Sequence, residues 1–120
     1  KGSFQRVMEI NTKAVTNAVM RYKVFAVTHP GLHLPILTEE LVCVCKMRGT
    51  ALEINSRHRF ITSDFIKTAQ KHGVKFIISS DAHSPQEVGE VEHCIHLAGL
   101  AGLTAKDVLN AKALQDDGDV

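Results

Sequence analysis

The sequence predicts an α/β domain built on three parallel strands that alternate with helices. Segments with helical apolar spacing alternate with short β-rich apolar runs, Gly or Pro punctuates most of the boundaries, and the connections are short. That rhythm is the one produced by right-handed crossovers between parallel strands. At 120 residues the chain forms one domain at most. An open doubly wound sheet and part of a barrel both satisfy the pattern. In either, ligands gather beyond the C-terminal ends of the strands.

Residues 6–21 place Val7, Ile10, Ala14, Ala18 and Met20 at near-helical spacing and are expected to form the first helix. Val24–Thr28 is a β-rich run, broken by Pro30 and Gly31. Thr38 is expected to cap a second helix reaching about Arg48, with Glu39 and Glu40 at its positive end. Gly49 ends that helix, and TALEINS (50–56) reads as the second strand. A third helix starts near Thr62 or Ser63 and stops at Gly73, a natural left-handed terminator. VKFIISS (74–80) is the third strand. Ser84-Pro85-Gln86-Glu87 then joins a capping Ser, a Pro at the first helical position and a Glu three residues beyond the cap. This is the strongest local signal in the chain. Thr104 and Asp107 repeat it more weakly ahead of a last helix over 105–112, and the acidic end QDDGDV (115–120) is expected to fray.

Composition removes several classes of function. No run of about 18 apolar residues is present to span a membrane. No basic segment followed by an apolar one signals secretion. A formal charge of +1, one Tyr and no Trp supply little for phosphate backbones or base stacking, so nucleic-acid binding is not expected. Three Cys without framework spacing suit a reducing cytoplasm. Seven His is a high count and raises the expectation of metal or acid–base chemistry.

The chemistry-bearing residues converge on one edge. His29 follows the first strand, Glu53 and Asn55 close the second, and Asp81 and His83 close the third. Asp81 and His83 are two apart, so on an extended strand both side chains share a face, and a carboxylate with an imidazole suits Zn, Mn or Fe. The plain alternative has Asp81 capping a turn, His83 packing on the next helix and His29 as a turn residue before Pro30. Each residue alone favours the alternative; three at one edge bring the metal reading level with it. EHCIH (92–96) reads as an ordinary exposed face in mid-helix, away from the strand ends. Cys43 and Cys45 point to different helix faces and read as packing thiols. LAGLAGL (97–103) reads as a glycine-terminated helix end with a tight turn. No Gly-rich phosphate loop or nucleophile elbow follows any strand.

VTHPG, ALEINS and SSDAHS, in that order, resemble the C-terminal half of the PHP (polymerase and histidinol phosphatase) family, and within it the small bacterial metal-dependent phosphoesterases. The resemblance spans roughly residues 8–112. It implies the C-terminal part of a distorted (β/α)7 barrel with two or three divalent metal ions, Zn, Mn or Fe, at the strand ends. It further implies that His29, Asp81 and His83 are metal ligands. Glu53 and Asn55 would support the ligands or contact substrate, and Arg57 and His58 on the following loop would reach a phosphate. The implied reaction is hydrolysis of a phosphoester by a metal-activated water.

A complete member of that family opens with an H-x-H strand and brings further His and Glu ligands, and these are not found here. A two- or three-metal site takes roughly six or more protein ligands, of which three can be assigned. The expectation is therefore half of an enzyme, by cloning, proteolysis or a truncated gene, with Lys1-Gly2-Ser3 as a possible cloning remnant. Such a half leaves strand edges and an inner face uncovered near Phe25, Val27, Leu52 and Ile77 or Ile78, so association with the missing half or a second copy is expected. The alternative function is a non-catalytic remnant or subunit acting through association. A response-regulator-like or Rossmann-like binding domain fits the rhythm but leaves the order of the motifs unexplained.

Overall fold

Thr12, Val15 and Val19 recur every three to four residues along α1 (Gly2–Arg21), and this is the stripe that turns inward, with Thr12 and Val19 buried. Val7, Ile10 and Met20, on which the helical spacing rests, lie largely exposed instead. Residues 2–59 and 61–112 are described by a computed structural model; Lys1 and the acidic end at 115–120 lie outside them. The polar Thr12 is buried because both its hydrogen-bonding roles are filled. Its Oγ donates to Met8 O (2.7 Å) and accepts the N–H of Leu37 (2.8 Å). That second bond decides where the next helix begins. In α2 (Thr38–Arg48) the cap is Leu37, not Thr38, because the side chain that serves it comes from α1.

The other helix ends obey local rules. Gly49 closes α2 at φ 68°, with its N–H on the last carbonyls. Thr62 caps α3 (Ser63–Lys71), its side chain accepting from Phe65 N–H at 3.1 Å. Between the helices run β1 (Ala26–Val27), β2 (Ala51–Asn55) and β3 (Phe76–Ser79), all parallel and in that spatial order. Val27 pairs with Leu52 and Leu52 with Phe76, while Glu53 pairs with Ile77 and Asn55 with Ser79.

This register sorts the side chains into two faces. Leu52, Ile54 and Phe76, with Val27 and Ile78 at the margin, pack against Leu41, Val42 and Cys45 of α2, Ile66 and Ala69 of α3, and Cys94 and Ala98 of α4 (Glu92–Leu100). Burying each large aliphatic side chain there contributes about 1.5–3 kcal/mol. Glu53 and Asn55 fall on the opposite face, and Leu52, expected near that inner face, belongs to the helix-covered core.

Two predicted helices are absent among the described residues. Ser84-Pro85-Gln86-Glu87 makes only a single 3₁₀ turn, Pro85–Glu87, with no cap bond from Ser84 to the backbone, and α4 starts later, at Glu92. Glu87 gives its carboxylate to His83 and Arg57, and Gly89 at φ 82° turns the chain away. Residues 105–112 form turns instead of a helix. Thr104 and Asp107 do bond as a cap would (Thr104 N–H to Asp107 Oδ2, 2.8 Å), but the chain then runs alongside β3. Phe76 N–H donates to Asp107 O and Leu109 N–H to Phe76 O, while the Asn110 side chain bonds both backbone groups of Ile78. Covering that strand edge satisfies backbone groups that a helix would leave open. Among the described residues no helix is long and apolar enough to cross a membrane.

Candidate functional site

Each strand delivers its polar residue at the end where the sheet stops. His29 leaves β1 at φ 26°, followed by buried Pro30 and by Gly31 at φ 91°. Asp81 leaves β3 at φ 51°, its N–H held by Ser79 Oγ at 3.1 Å. Two non-glycine residues in the left-handed region at one sheet edge store strain of about 1–3 kcal/mol each, a pattern found at functional sites.

Between them stands β2. Glu53 and Asn55, two apart and on one face, are 5% and 3% exposed. Such burial requires partners, and both have them. Glu53 Oε1 accepts the backbone N–H of His29 (2.7 Å) and the amide of Asn55 (3.0 Å). The same amide nitrogen donates to Asp81 Oδ2 (3.1 Å), and Asn55 Oδ1 accepts the N–H of His58 (2.9 Å). His58 Nε2 then lies 3.4 Å from Asp81 Oδ2, and its ring meets that of His29 edge-on with centroids 5.4 Å apart. On the other side, His83 Nδ1 sits 2.7 Å from Asp81 O and 3.8 Å from Asp81 Oδ1. The seven residues to which the sequence points thus fall in one connected network: His29, Glu53, Asn55, Arg57, His58, Asp81 and His83. Arg57 joins it through Glu87.

The electrostatics favour an ionised Asp81. The Asn55 hydrogen bond is the largest influence holding its carboxyl below the ordinary range; partial burial opposes it, and His83, His58 and Arg57 add to the lowering. Glu87 is likewise lowered, first by the His83 N–H, against some burial, and then by Arg57 and Ser84.

An ionised carboxylate with imidazoles around it is the right donor chemistry for a divalent ion. The number falls short: among the described residues no group of three or more His, Cys, Asp or Glu side chains is placed to hold a metal ion. His83 turns its Nδ1 toward the Asp81 carbonyl. The donor types suit such an ion, but among the described residues their placement does not complete a site for one.

Glu87 is missing from the residues to which the sequence points, although its position in the S-P-Q-E signal is plain; its partner Arg57 comes from another loop. EHCIH also needs correction. It opens α4 instead of lying in mid-helix, and Glu92 and His93 line a polar cavity of about 470 Å³ together with Arg57, Arg59, Ser80 and Glu87. An apolar cavity of about 270 Å³ is bounded by Pro30 and Gly31, which follow His29, and by Ile36, Leu41 and Phe65. The thiols stand apart. Cys45 and Cys94 are buried, burial pushes Cys45 up to about 11, and Cys94 Sγ rests on Ile54 O at 3.4 Å, so neither is poised as a nucleophile.

Comparison with known proteins bears on the role of this edge. No protein-family model matches the chain. A protein named probable phosphatase from Thermoanaerobacter sp. (strain X514) is 34% identical over 113 residues, covering 86% of this chain and 46% of that protein. A probable phosphatase from Acetivibrio thermocellus is 28% identical over 121 residues, covering 93% of this chain and 50% of that protein. The DNA polymerase/3'-5' exonuclease PolX of Bacillus subtilis (strain 168) is 24% identical over 123 residues, covering 95% of this chain and 22% of that protein. The chain spans about half the length of the probable phosphatases it matches.

Proposed function

We propose that this chain supplies part of the active site of a metal-dependent phosphoesterase of the PHP type, its sheet forming the C-terminal part of a distorted (β/α)7 barrel. The observation that carries the reading is the Asp81 carboxylate, held ionised between His58 and His83 by the buried Asn55. The names of the probable phosphatases support the reaction class. His29, Asp81 and His83 are the proposed ligands for Zn, Mn or Fe, with the remaining donors of a two- or three-metal site coming from outside these residues. When bound, the ions supply Lewis acidity toward the phosphoester and lower the pKa of water.

The chain's own residues do the positioning. Asn55 fixes the Asp81 carboxylate, and Glu53 ties the His29 turn to β2 through the His29 N–H. Arg57 lines the polar cavity, where its guanidinium would pair with a phosphate, and His58 presents an imidazole beside Asp81. A second reading, a non-catalytic subunit that keeps the fold and acts by association, is favoured by the shortage of closely grouped donors.

Metal content by elemental mass spectrometry, on the chain and on His83→Ala, separates the two. Stoichiometric Zn, Mn or Fe that falls in the variant, with hydrolysis of an aryl phosphate above a metal-only control, supports the phosphoesterase. Metal-free protein in both, with no hydrolysis, sinks that reading and leaves the subunit.

A further inference from the structure

The strongest helix-start signal in the sequence does not start an α-helix. In a capping box Glu87 would reach back to the N–H of Ser84. Its Oε1 instead accepts the N–H of His83, one residue earlier, at 2.9 Å, and the Arg57 guanidinium at 2.7 Å. The chain makes a single 3₁₀ turn there, then passes through Val88 in extended conformation to Gly89 at φ 82°. A strong local preference overridden by a bond to another strand's loop marks a place where function or tertiary structure prevails.

We propose that Glu87 is a positioning residue: it clips the loop after β3 to the loop after β2 and so sets His83 beside Asp81. This rests on the phosphoesterase reading, in which Asp81 and His83 act together. His83 is otherwise lightly held. Its side chain is 57% exposed, and its ring Nδ1 lies 2.7 Å from Asp81 O and 3.8 Å from Asp81 Oδ1. Fixing the backbone N–H of His83 fixes the direction in which the imidazole leaves the chain. Arg57 completes the clip from β2's side, so one carboxylate oxygen joins both loops.

Its contribution to global folding stability is small. The Arg57 and Glu87 side chains are 38% and 41% exposed, and ion pairs at such exposure contribute little to folding. The contribution is geometric, and it has a signature that a solvated surface pair lacks. Its effect on metal binding disappears when the His83 side chain is gone.

The test uses the full chain. In ¹H–¹⁵N spectra, Glu87→Ala is expected to shift the His83 amide and hasten its exchange with solvent. Glu87→Gln, which keeps the acceptor oxygen, restores most of the shift. Glu87→Asp falls one methylene short and behaves like Ala, and it stands in should Ala fail to fold. In calorimetric titration with Zn²⁺, Glu87→Ala is expected to weaken binding about 10-fold, the scale of losing a group that orients a metal ligand. It should add nothing in a His83→Ala background. An unmoved His83 amide in both Glu87→Ala and Glu87→Asp overturns the proposal, as do losses that add across the two sites. A chain that takes up no Zn²⁺ at all counts against the metal reading, and the clip then stands or falls on the amide alone.

Discussion

Asn55 reaches Asp81 across the gap between two parallel strands. Its side-chain nitrogen lies 3.1 Å from Asp81 Oδ2 and 3.0 Å from Glu53 Oε1, so one buried amide serves two carboxylates. An amide at this position separates like charges that would otherwise face each other over a face with little solvent. Asn55→Ala leaves the Glu53 carboxylate, 5% exposed, short of a donor, and a buried group so deprived costs about 1–3 kcal/mol. Urea unfolding should show that loss with an unchanged slope. A variant as stable as the parent would mean that the Glu53 bond from the His29 N–H suffices.

Acid should loosen the site before it unfolds the core. Asp81 and Glu87 ordinarily titrate at 3.8 and 4.5, and both are lowered in the fold. A carboxyl lowered in the folded state contributes stability that is complete above its ordinary value and is lost as pH falls through the folded one. The 81–87 loop is therefore expected to hold above the ordinary carboxylate values and to loosen below them. Carboxyl ¹³C titration should place Asp81 below 3.8 and Glu87 below 4.5, and Asn55→Ala should raise Asp81. Midpoints at the ordinary values would remove the electrostatic account of this loop.

The two sheet edges differ in a way that predicts association. The outer edge of β3 is covered by residues 107–110, whereas β1 pairs only with β2 among the described residues and is flanked by Tyr22 (62% exposed) and Phe25 (69% exposed). A strand edge with no further strand beside it among the described residues, next to exposed aromatics, is a template for pairing. Light scattering at tens of micromolar is expected to give a mass above 13.2 kDa, and Phe25→Lys is expected to lower it. A parent chain that stays at 13.2 kDa under those conditions sinks the prediction.

Wherever a feature depends on neighbours in sequence, the residues alone disclose it. Thr62 caps its helix and Gly49 ends another because those bonds close within a few residues. The gathering at one edge of the seven residues from His29 to His83 is legible because parallel strands joined by helices must end at the same edge, and because residues two apart on β2 must share a face.

Local periodicity and connection length were thus enough to settle the alternation of helix and parallel strand and the edge where the polar residues collect. Packing in three dimensions settled the rest: Thr12 serves the cap of α2, Glu87 joins His83 to Arg57 instead of starting a helix, Glu92 and His93 reach the polar cavity, and Asn110 seals β3. Each of these depends on a partner distant in sequence, or on where a displaced helix begins. A hydrogen-bonding side chain takes whichever unsatisfied partner the fold brings nearest, and chain-local preference does not disclose which that will be.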